Sequence, residues 1–311
     1  METISHMRRH WQKLSITSLV KEVLRKVREV TALKPIKEEV IDKARKIVIK
    51  IGSNTLAKND GTINVDFMET FASECAALIS RGKQVIVVSS GAQVAGLSTI
   101  SGWAHKGDIH YRQALCAIGQ VELMDKWRES FGKQNLHAAQ LLLTKEDFMD
   151  SHRTLNIRNT LFTLVDEGVV PVINENDSVA TDEFCIGDND NLSALTAVLW
   201  SADLLILFSD IDGIYTDNPK TNENAVLVET VENINELKNQ ITINGKSSFG
   251  TGGISTKIEA AKKTTASGIP LILANGKKEK ALEKLCSGEL KATVFTADEN
   301  ALFNAIMGGS K

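Results

Sequence analysis

A chain of 311 residues with 42% hydrophobic and 24% charged side chains can bury the core of one large α/β domain or of two small ones. Its formal net charge of -3, two Tyr and four Trp provide neither the basic field nor the aromatic-basic interleaving that nucleic-acid binders use, so nucleic acid is not an expected partner. Cys75, Cys116, Cys185 and Cys286 form no Cys-x-x-Cys pair, no His-Glu-x-x-His pattern occurs, and no apolar run approaches the roughly 20 residues that span a bilayer. These absences predict a cytoplasmic protein with reduced cysteines, no metal held by a dedicated ligand set and no membrane contact.

Residues 1–44 read as an N-terminal extension. Ile16, Leu19, Val20, Val23, Leu24, Val27 and Val30 recur at helical spacing, with Lys21, Glu22, Arg25, Lys26, Arg28 and Glu29 between them and Pro35 as a break. The stripe fits a docked helix or a contact in a homo-oligomer better than a membrane-surface or targeting helix, because Glu is interspersed among the basic residues. Every candidate ligand lies beyond Arg45, so residues 1–44 are expected to be dispensable for chemistry.

From Lys46 the pattern alternates. Lys46 to Ile51 reads as a strand broken at Gly52-Ser53-Asn54, and Val65 to Ser80 as a helix closed by Gly82. Gln84 to Ser89 reads as a strand that runs into Ser90-Gly91-Ala92 and a small-residue helix start. A loop from Gly96 to Gly107, a helix around Gln113 to Phe131, an apolar run from Ala138 to Leu143 and a helix from Thr154 to Glu167 follow. The β-branched run Val169 to Ile173 then empties into Asn174, Glu175, Asn176 and Asp177, polar groups that a packed core is not expected to absorb. Gly187-Asp188-Asn189-Asp190 opens an Ala/Leu-rich helix, with Asp188 or Asn189 as a candidate N-cap. Asp203 to Phe208 is a further strand, ending at Ser209-Asp210-Ile211-Asp212-Gly213.

The last third holds Gly250-Thr251-Gly252-Gly253 with Lys257 one turn into a helix that includes Ile258 to Ser267. A strand from Ile269 to Ala274, a short helix and a closing strand near Ala292 to Phe295 complete the domain. Glycines at a helix start let backbone N–H groups approach a phosphate, and the lysine can reach the same group. The run matches neither a Walker A nor a Rossmann glycine pattern. Strands that alternate with helices and end in Gly, Ser or Asp predict a three-layer αβα sandwich around a mainly parallel sheet, with ligands at the carboxyl ends of the strands. No repeat or composition shift divides residues 45–298, which are read as one catalytic domain, with residues 299–311 as a tail.

Taken together, Lys50-Ile51-Gly52-Ser53, Val88-Ser89-Ser90-Gly91-Ala92, the run Gln113-Ala114-Leu115-Cys116-Ala117-Ile118-Gly119-Gln120, Asn174-Glu175-Asn176-Asp177, Gly187-Asp188-Asn189-Asp190, Ser209-Asp210 and Gly250-Thr251-Gly252-Gly253 with Lys257 resemble the amino-acid kinase family. The closest resemblance is to its members that phosphorylate the γ-carboxylate of L-glutamate with ATP and Mg2+, the first step of proline synthesis. The motifs occur in order across about residues 45–298. Ile186 stands where an aromatic is common and Ser209 where Thr is common, which bears on ligand fit. No RNA-binding-like C-terminal domain is expected, which bears on regulation.

The resemblance implies that Lys50 and the Gly52 and Ser53 backbone hold the transferred phosphoryl group. It places Lys257 on the nucleotide phosphates, Asp190 between the two ammonium groups, and ATP on Ser209, Asp210, Gly250, Thr251, Gly252 and Gly253. Ser90, Gly91, Ala92 and Asn189 would grip glutamate, and Asp177 is the anion chosen for its α-ammonium. The chemistry agrees, since a carboxylate is already ionised at neutral pH and needs no general base, whereas the moving phosphoryl group needs cations and N–H donors. Removing Lys50 or Asp190 is therefore expected to abolish most turnover with thermal stability nearly unchanged. Kinases of the same fold acting on acetylglutamate, uridylate or carbamate remain open, as does a silent nucleotide- or amino-acid-binding regulator. A sensor has no need of both phosphoryl-binding cations, and functional coupling to a glutamyl-phosphate reductase fits a labile product.

Overall fold

The computed structural model describes residues 36–100, 108–180, 189–240 and 253–297. The predicted amphipathic helix before Pro35, the tail from residue 299 and most of the predicted loop up to Gly107 lie outside the described residues.

Helix α1 (Ile36–Lys43) leads into β1 (Lys46–Ile51), the short α2 (Ser53–Leu56), α3 (Val65–Ser80) and β2 (Gln84–Ser89). Next come α4 (Ala92–Thr99), α5 (Ile109–Gly132), β3 (His137–Leu143), α6 (Lys145–Met149), α7 (Ser151–Asp166) and β4 (Val169–Glu175). The second half holds α8 (Asn189–Trp200), β5 (Leu204–Ser209), β6 (Thr230–Val231), α9 (Ile234–Gln240), α10 (Ile254–Thr265), β7 (Leu271–Asn275), α11 (Ala281–Cys286) and β8 (Ala292–Phe295). The strands form one eight-stranded sheet in the order β3-β4-β2-β1-β5-β7-β8-β6. Every pairing is parallel except β7 with β8.

Burial on both faces explains why the central strands are continuous apolar runs rather than alternating ones. Ile47, Ile49 and Ile51 of β1 point to one side, where Phe71, Cys75, Trp127 and Phe131 of α3 and α5 cover them. Val48 points to the other, against Leu161 of α7, Trp200 of α8 and Ala261 of α10. Lys46 and Lys50 share the Val48 side by the period of the strand. Among the described residues no helix is long and apolar enough to cross a membrane.

Local signals fix several boundaries. Asn64 Oδ1 accepts from Phe67 N at 3.3 Å at the start of α3, and Asp108 Oδ1 accepts from His110 N at 2.8 Å at the start of α5. Three differences from the sequence reading have physical causes. Helix α1 belongs to the packed core, since Ile41 and Ala44 are buried in it and Lys83 Nζ donates to the Ile41 and Ala44 carbonyls at 2.8 and 2.7 Å. Gly96 lies inside α4 rather than in a loop, and a Cβ there would strike the Leu115 carbonyl of α5. A Cβ on Gly119 would likewise strike the Ala92 carbonyl, so two glycines let α4 and α5 touch backbone to backbone. Finally, β4 continues through Asn174 and Glu175, both buried, and the Asn174 amide is satisfied by Gln120 and Asn189 from distant segments.

The chain leaves β1 toward β2 on one side and is met by β5 on the other. That reversal of strand order opens a crevice at the carboxyl ends of β1, β2 and β5.

Candidate active site

Two groups of side chains meet at this crevice, one charged and one neutral. The charged group centres on Asp190, in the first turn of α8 and fully buried. Its Oδ1 lies 2.6 Å from Lys50 Nζ at the end of β1, and its Oδ2 lies 3.0 Å from Lys257 Nζ on α10. Thr256 Oγ1 also donates to Asp190 Oδ2 at 3.0 Å, and Lys257 Nζ donates to the Gly253 carbonyl at 3.1 Å. Burial alone would raise the Asp190 carboxyl, but the Lys50 and Lys257 charges outweigh it and hold the group below the usual carboxylate range. Lys50 and Lys257 thus bring two ammonium groups to one buried point, a setting suited to phosphate chemistry.

Gly52 follows directly. A Cβ built on it would lie 3.5 Å from Lys50 Nζ, an ordinary contact distance, so the turn brings the Gly52 backbone directly beside that ammonium. The Gly52 N–H donates to the Phe208 carbonyl at 3.3 Å, which ties the turn to the end of β5. Beyond it, Asn54 Nδ2 donates to Asp210 Oδ2 at 3.2 Å and Ser209 Oγ to Asp210 Oδ1 at 3.2 Å. Burial opposes the ionised form of Asp210, while hydrogen bonds from its own backbone, Asn54 and Ser209 hold its pKa below the ordinary value.

The neutral group is a chain of buried amides and hydroxyls. Asn189 Nδ2 donates to Ser90 Oγ and to Asn174 Oδ1, both at 2.8 Å, and Asn174 Nδ2 donates to Gln120 Oε1 at 2.8 Å. At the far end Trp127 Nε1 donates to Ser89 Oγ at 2.9 Å. Gly91 takes a left-handed φ of 106° and starts α4, whose first N–H groups open beside Ser90. Helix α5 holds the loop after β4 with three side chains on one face. Gln113 Nε2 donates to the Ala180 carbonyl at 2.9 Å, Cys116 meets Asp177, and Gln120 meets Asn174. Burial raises Asp177 above the usual aspartate pKa, opposed by the Cys116 hydrogen bond and the Arg112 charge. Burial and the Asp177 charge push the Cys116 thiol up to about 12.

Of the residues singled out in the sequence, Lys50, Asp190 and Lys257 converge on one another, and Ser90 and Asn189 on a second point beside them. Gly52, Ser53, Ser209 and Asp210 line the first point, Gly91 and Ala92 the second. Gly253 lies at the start of α10 within reach of Lys257, whereas Gly250, Thr251, Gly252, Ile186 and Asp188 lie outside the described residues. Thr256, Gln120 and the bridging role of Asn174 escape a linear reading. The spacing of Gln113, Cys116 and Gln120 was the available signal, since it puts all three on one helical face.

Residues 45–275 match the amino acid kinase family, and the chain belongs to that family. A relative named glutamate 5-kinase from Alkaliphilus metalliredigens is 60% identical over 260 residues, covering 84% of this chain and 98% of its own. Another of that name from Clostridium acetobutylicum is 40% identical over 259 residues, covering 83% and 97%. Among solved structures, a UMP kinase from Ureaplasma parvum shares the fold with a TM-score of 0.58 at 18% identity, over 82% of this chain and 99% of that one.

Proposed function

We propose that this kinase transfers the γ-phosphoryl group of ATP to the γ-carboxylate of L-glutamate, giving γ-glutamyl 5-phosphate at the start of proline synthesis. The observation that carries the reading is the single buried carboxylate of Asp190 held by two lysines from opposite parts of the chain. A γ-carboxylate attacks phosphorus as its ionised form, so the protein's task is to hold it in line and to neutralise the charge on the moving group. Lys50, with the Gly52 and Ser53 backbone, faces the transferred phosphoryl. Lys257, Gly250 to Gly253, Ser209 and Asp210 hold the nucleotide. Asp190 is a positioning residue that keeps the two ammonium groups at fixed separation.

Mg2+ enters with ATP as part of the substrate, bridging its phosphates. Among the described residues no group of three His, Cys, Asp or Glu side chains is placed to hold a metal ion, and both Asp190 oxygens face ammonium groups.

On the acceptor side, Ser90, Gly91 and Ala92 present N–H groups to glutamate, and Asp177 takes its α-ammonium. Both Nδ2 hydrogens of Asn189 are engaged by Ser90 and Asn174, so Asn189 acts by orienting Ser90 rather than by donating to glutamate itself. The homologous enzymes' name supports the same substrate. The acyl phosphate product hydrolyses readily, which favours hand-off to a glutamyl-phosphate reductase, and a homo-oligomer would give the N-terminal apolar stripe a partner.

Trapping the acyl phosphate as a hydroxamate tests the reading. Glutamate should be turned over and N-acetylglutamate rejected, because the acetylated form leaves a desolvated Asp177 without its ammonium, at a cost of about 1–3 kcal/mol or more. Asp177→Asn should raise KM for glutamate far more than KM for ATP. Preference for N-acetylglutamate would overturn the substrate assignment.

A further inference from the structure

The buried amide chain has a direction, and that direction leaves one donor over. The Glu175 N–H can only donate, so the Asn174 side-chain atom it meets at 2.9 Å is the oxygen. The Asn174 nitrogen therefore faces Gln120, and the Gln120 atom 2.8 Å from it is the acceptor Oε1. The other end gives the same answer: Asn189 Nδ2 approaches the Ser89 carbonyl, an acceptor only, at 3.4 Å, and donates to that same Asn174 oxygen. Gln120 Nε2 is thereby fixed as a buried donor, and it has no hydrogen-bond partner among the described residues. The whole residue is 8% exposed. An orphan donor of this kind marks either a cost in stability or the place of a ligand.

Its surroundings decide between the two. The preceding residue, Gly119, abuts the Ala92 carbonyl and the Gly96 nitrogen in the first half of α4, which packs α5 closely against that helix. One turn earlier on α5, Cys116 touches Asp177, and the Gln120 side chain itself touches Asn174. The Gln120 side chain thus lies beside Asn174 and, one turn along the same face of α5, beside the loop that carries Asp177. In the glutamate reading, on which this inference rests, the γ-carboxylate lies at Lys50 and the α-ammonium at Asp177. The α-carboxylate shares its carbon with the ammonium, and it is an anion that needs donors.

We propose that Gln120 is a substrate-binding and specificity-determining residue whose Nε2 donates to the α-carboxylate of glutamate, while its Oε1 stays bound to Asn174. Gln120 then reads the presence of a carboxylate at that end of the substrate, as Asp177 reads the ammonium.

Gln120→Glu tests the proposal because it keeps an oxygen for Asn174 and replaces only the free NH2 by a second oxygen. Hydroxamate formation is measured for parent and variant with glutamate and with its α-amide, in which an NH2 donor replaces one α-carboxylate oxygen and the γ-carboxylate is intact. The preference for glutamate over the α-amide should fall by roughly ten- to a hundredfold in the variant, with KM for ATP unchanged. The same preference in both proteins would reduce Gln120 to a packing and network role and overturn the proposal. Should Gln120→Glu fail to fold, Gln120→Met keeps the volume and removes the donor. It should raise KM for glutamate without weakening inhibition by 4-aminobutyrate, which lacks the α-carboxylate; an equal weakening of both overturns the proposal. Turnover of glutamate by the parent enzyme in the same series tests the substrate reading separately.

Discussion

Lys46 and Lys50 lie on one strand, on the same side of it, and only one of them faces an anion that it shares. Lys46 Nζ donates to the Trp200 carbonyl at 2.5 Å and lies 4.6 and 4.8 Å from the ring centres of Phe162 and Trp200. Burial lowers its pKa, with the nearby Asp203 carboxylate opposing. Asp203 Oδ2 in turn accepts from the Arg45 and Lys46 backbone N–H groups at 2.8 and 2.7 Å, so this end of the sheet is closed by its own hydrogen bonds. Lys50 instead meets a carboxylate that also serves Lys257. The Lys46 ammonium is enclosed by a carbonyl and two rings, whereas Lys50 and Lys257 meet on the two oxygens of one carboxylate. The two lysines therefore differ both in burial, Lys46 half-buried and Lys50 buried, and in what they meet, a carbonyl with two rings against a carboxylate shared with Lys257.

Asp190→Ala puts the largest strain on this contrast. It should abolish most turnover and also destabilise the fold by about 3–5 kcal/mol, because two buried ammonium groups would be left facing each other. The sequence alone leads to an expectation of nearly unchanged stability; the burial of Asp190 and Lys50 argues for a loss instead. Urea unfolding of Asp190→Ala and Asp190→Asn alongside the parent measures the effect. Lys50→Met should lower kcat by roughly a hundred- to a thousandfold. A kcat near that of the parent, with only KM changed, would remove Lys50 from the transition state.

Lys46→Met should do the reverse. Loss of one carbonyl hydrogen bond and two ring contacts should cost about 1–2 kcal/mol in stability and leave kcat and both KM values in place. Should Lys46→Met impair turnover as Lys50→Met does, the distinction between the two ends of β1 would fail.

Acid should give the smallest effects, with opposite signs at the two carboxylates. The folded pKa of Asp190 is depressed, so its ion pairs stabilise the fold fully above the unfolded value of about 3.9 and lose that contribution as pH falls through the folded value. Asp190→Asn should flatten this part of the unfolding profile. Asp177 has a raised pKa and binds ammonium only when ionised, so KM for glutamate should begin to rise in acid before an exposed aspartate would protonate. Asp177→Asn should remove that rise, and kinetics across mildly acidic pH would reveal it.

The sheet was legible because its central strands are buried on both faces and so read as unbroken runs, as in Lys46 to Ile51 and Leu204 to Ser209. The end of β4 was not, because a sequence shows Asn174 as polar and does not show that Gln120 and Asn189 satisfy it. The place of α1 was hidden by the break at Pro35, which made Ile41 and Ala44 look like part of the extension. Each half of the site could be read as a phosphate-binding or an amide-rich loop. That Lys50, Asp190 and Lys257 share one point followed from family resemblance, since nothing in their spacing brings them together. Thr256 and Gln120 lie inside noticed motifs, yet their partners come from distant segments, and pairing of that kind has no local signature.

Strand β1 obtains its second neighbour, β5, only from residues 204–209, and Lys257 follows Lys50 by more than two hundred residues. At a synthesis rate of 5–20 residues per second, a nascent chain waits on the order of ten to forty seconds between the two lysines. Until residues 204–209 are made, one edge of β1 has no partner strand, and until Lys257 follows, the polypeptide carries Lys50 and then Asp190 without the second lysine. The pairing that creates the crevice is non-local, the kind of contact associated with slower folding. The meeting of Lys50, Asp190 and Lys257 is in this sense a property of the finished chain, and a fragment ending before α10 contains the strands of the crevice without Lys257.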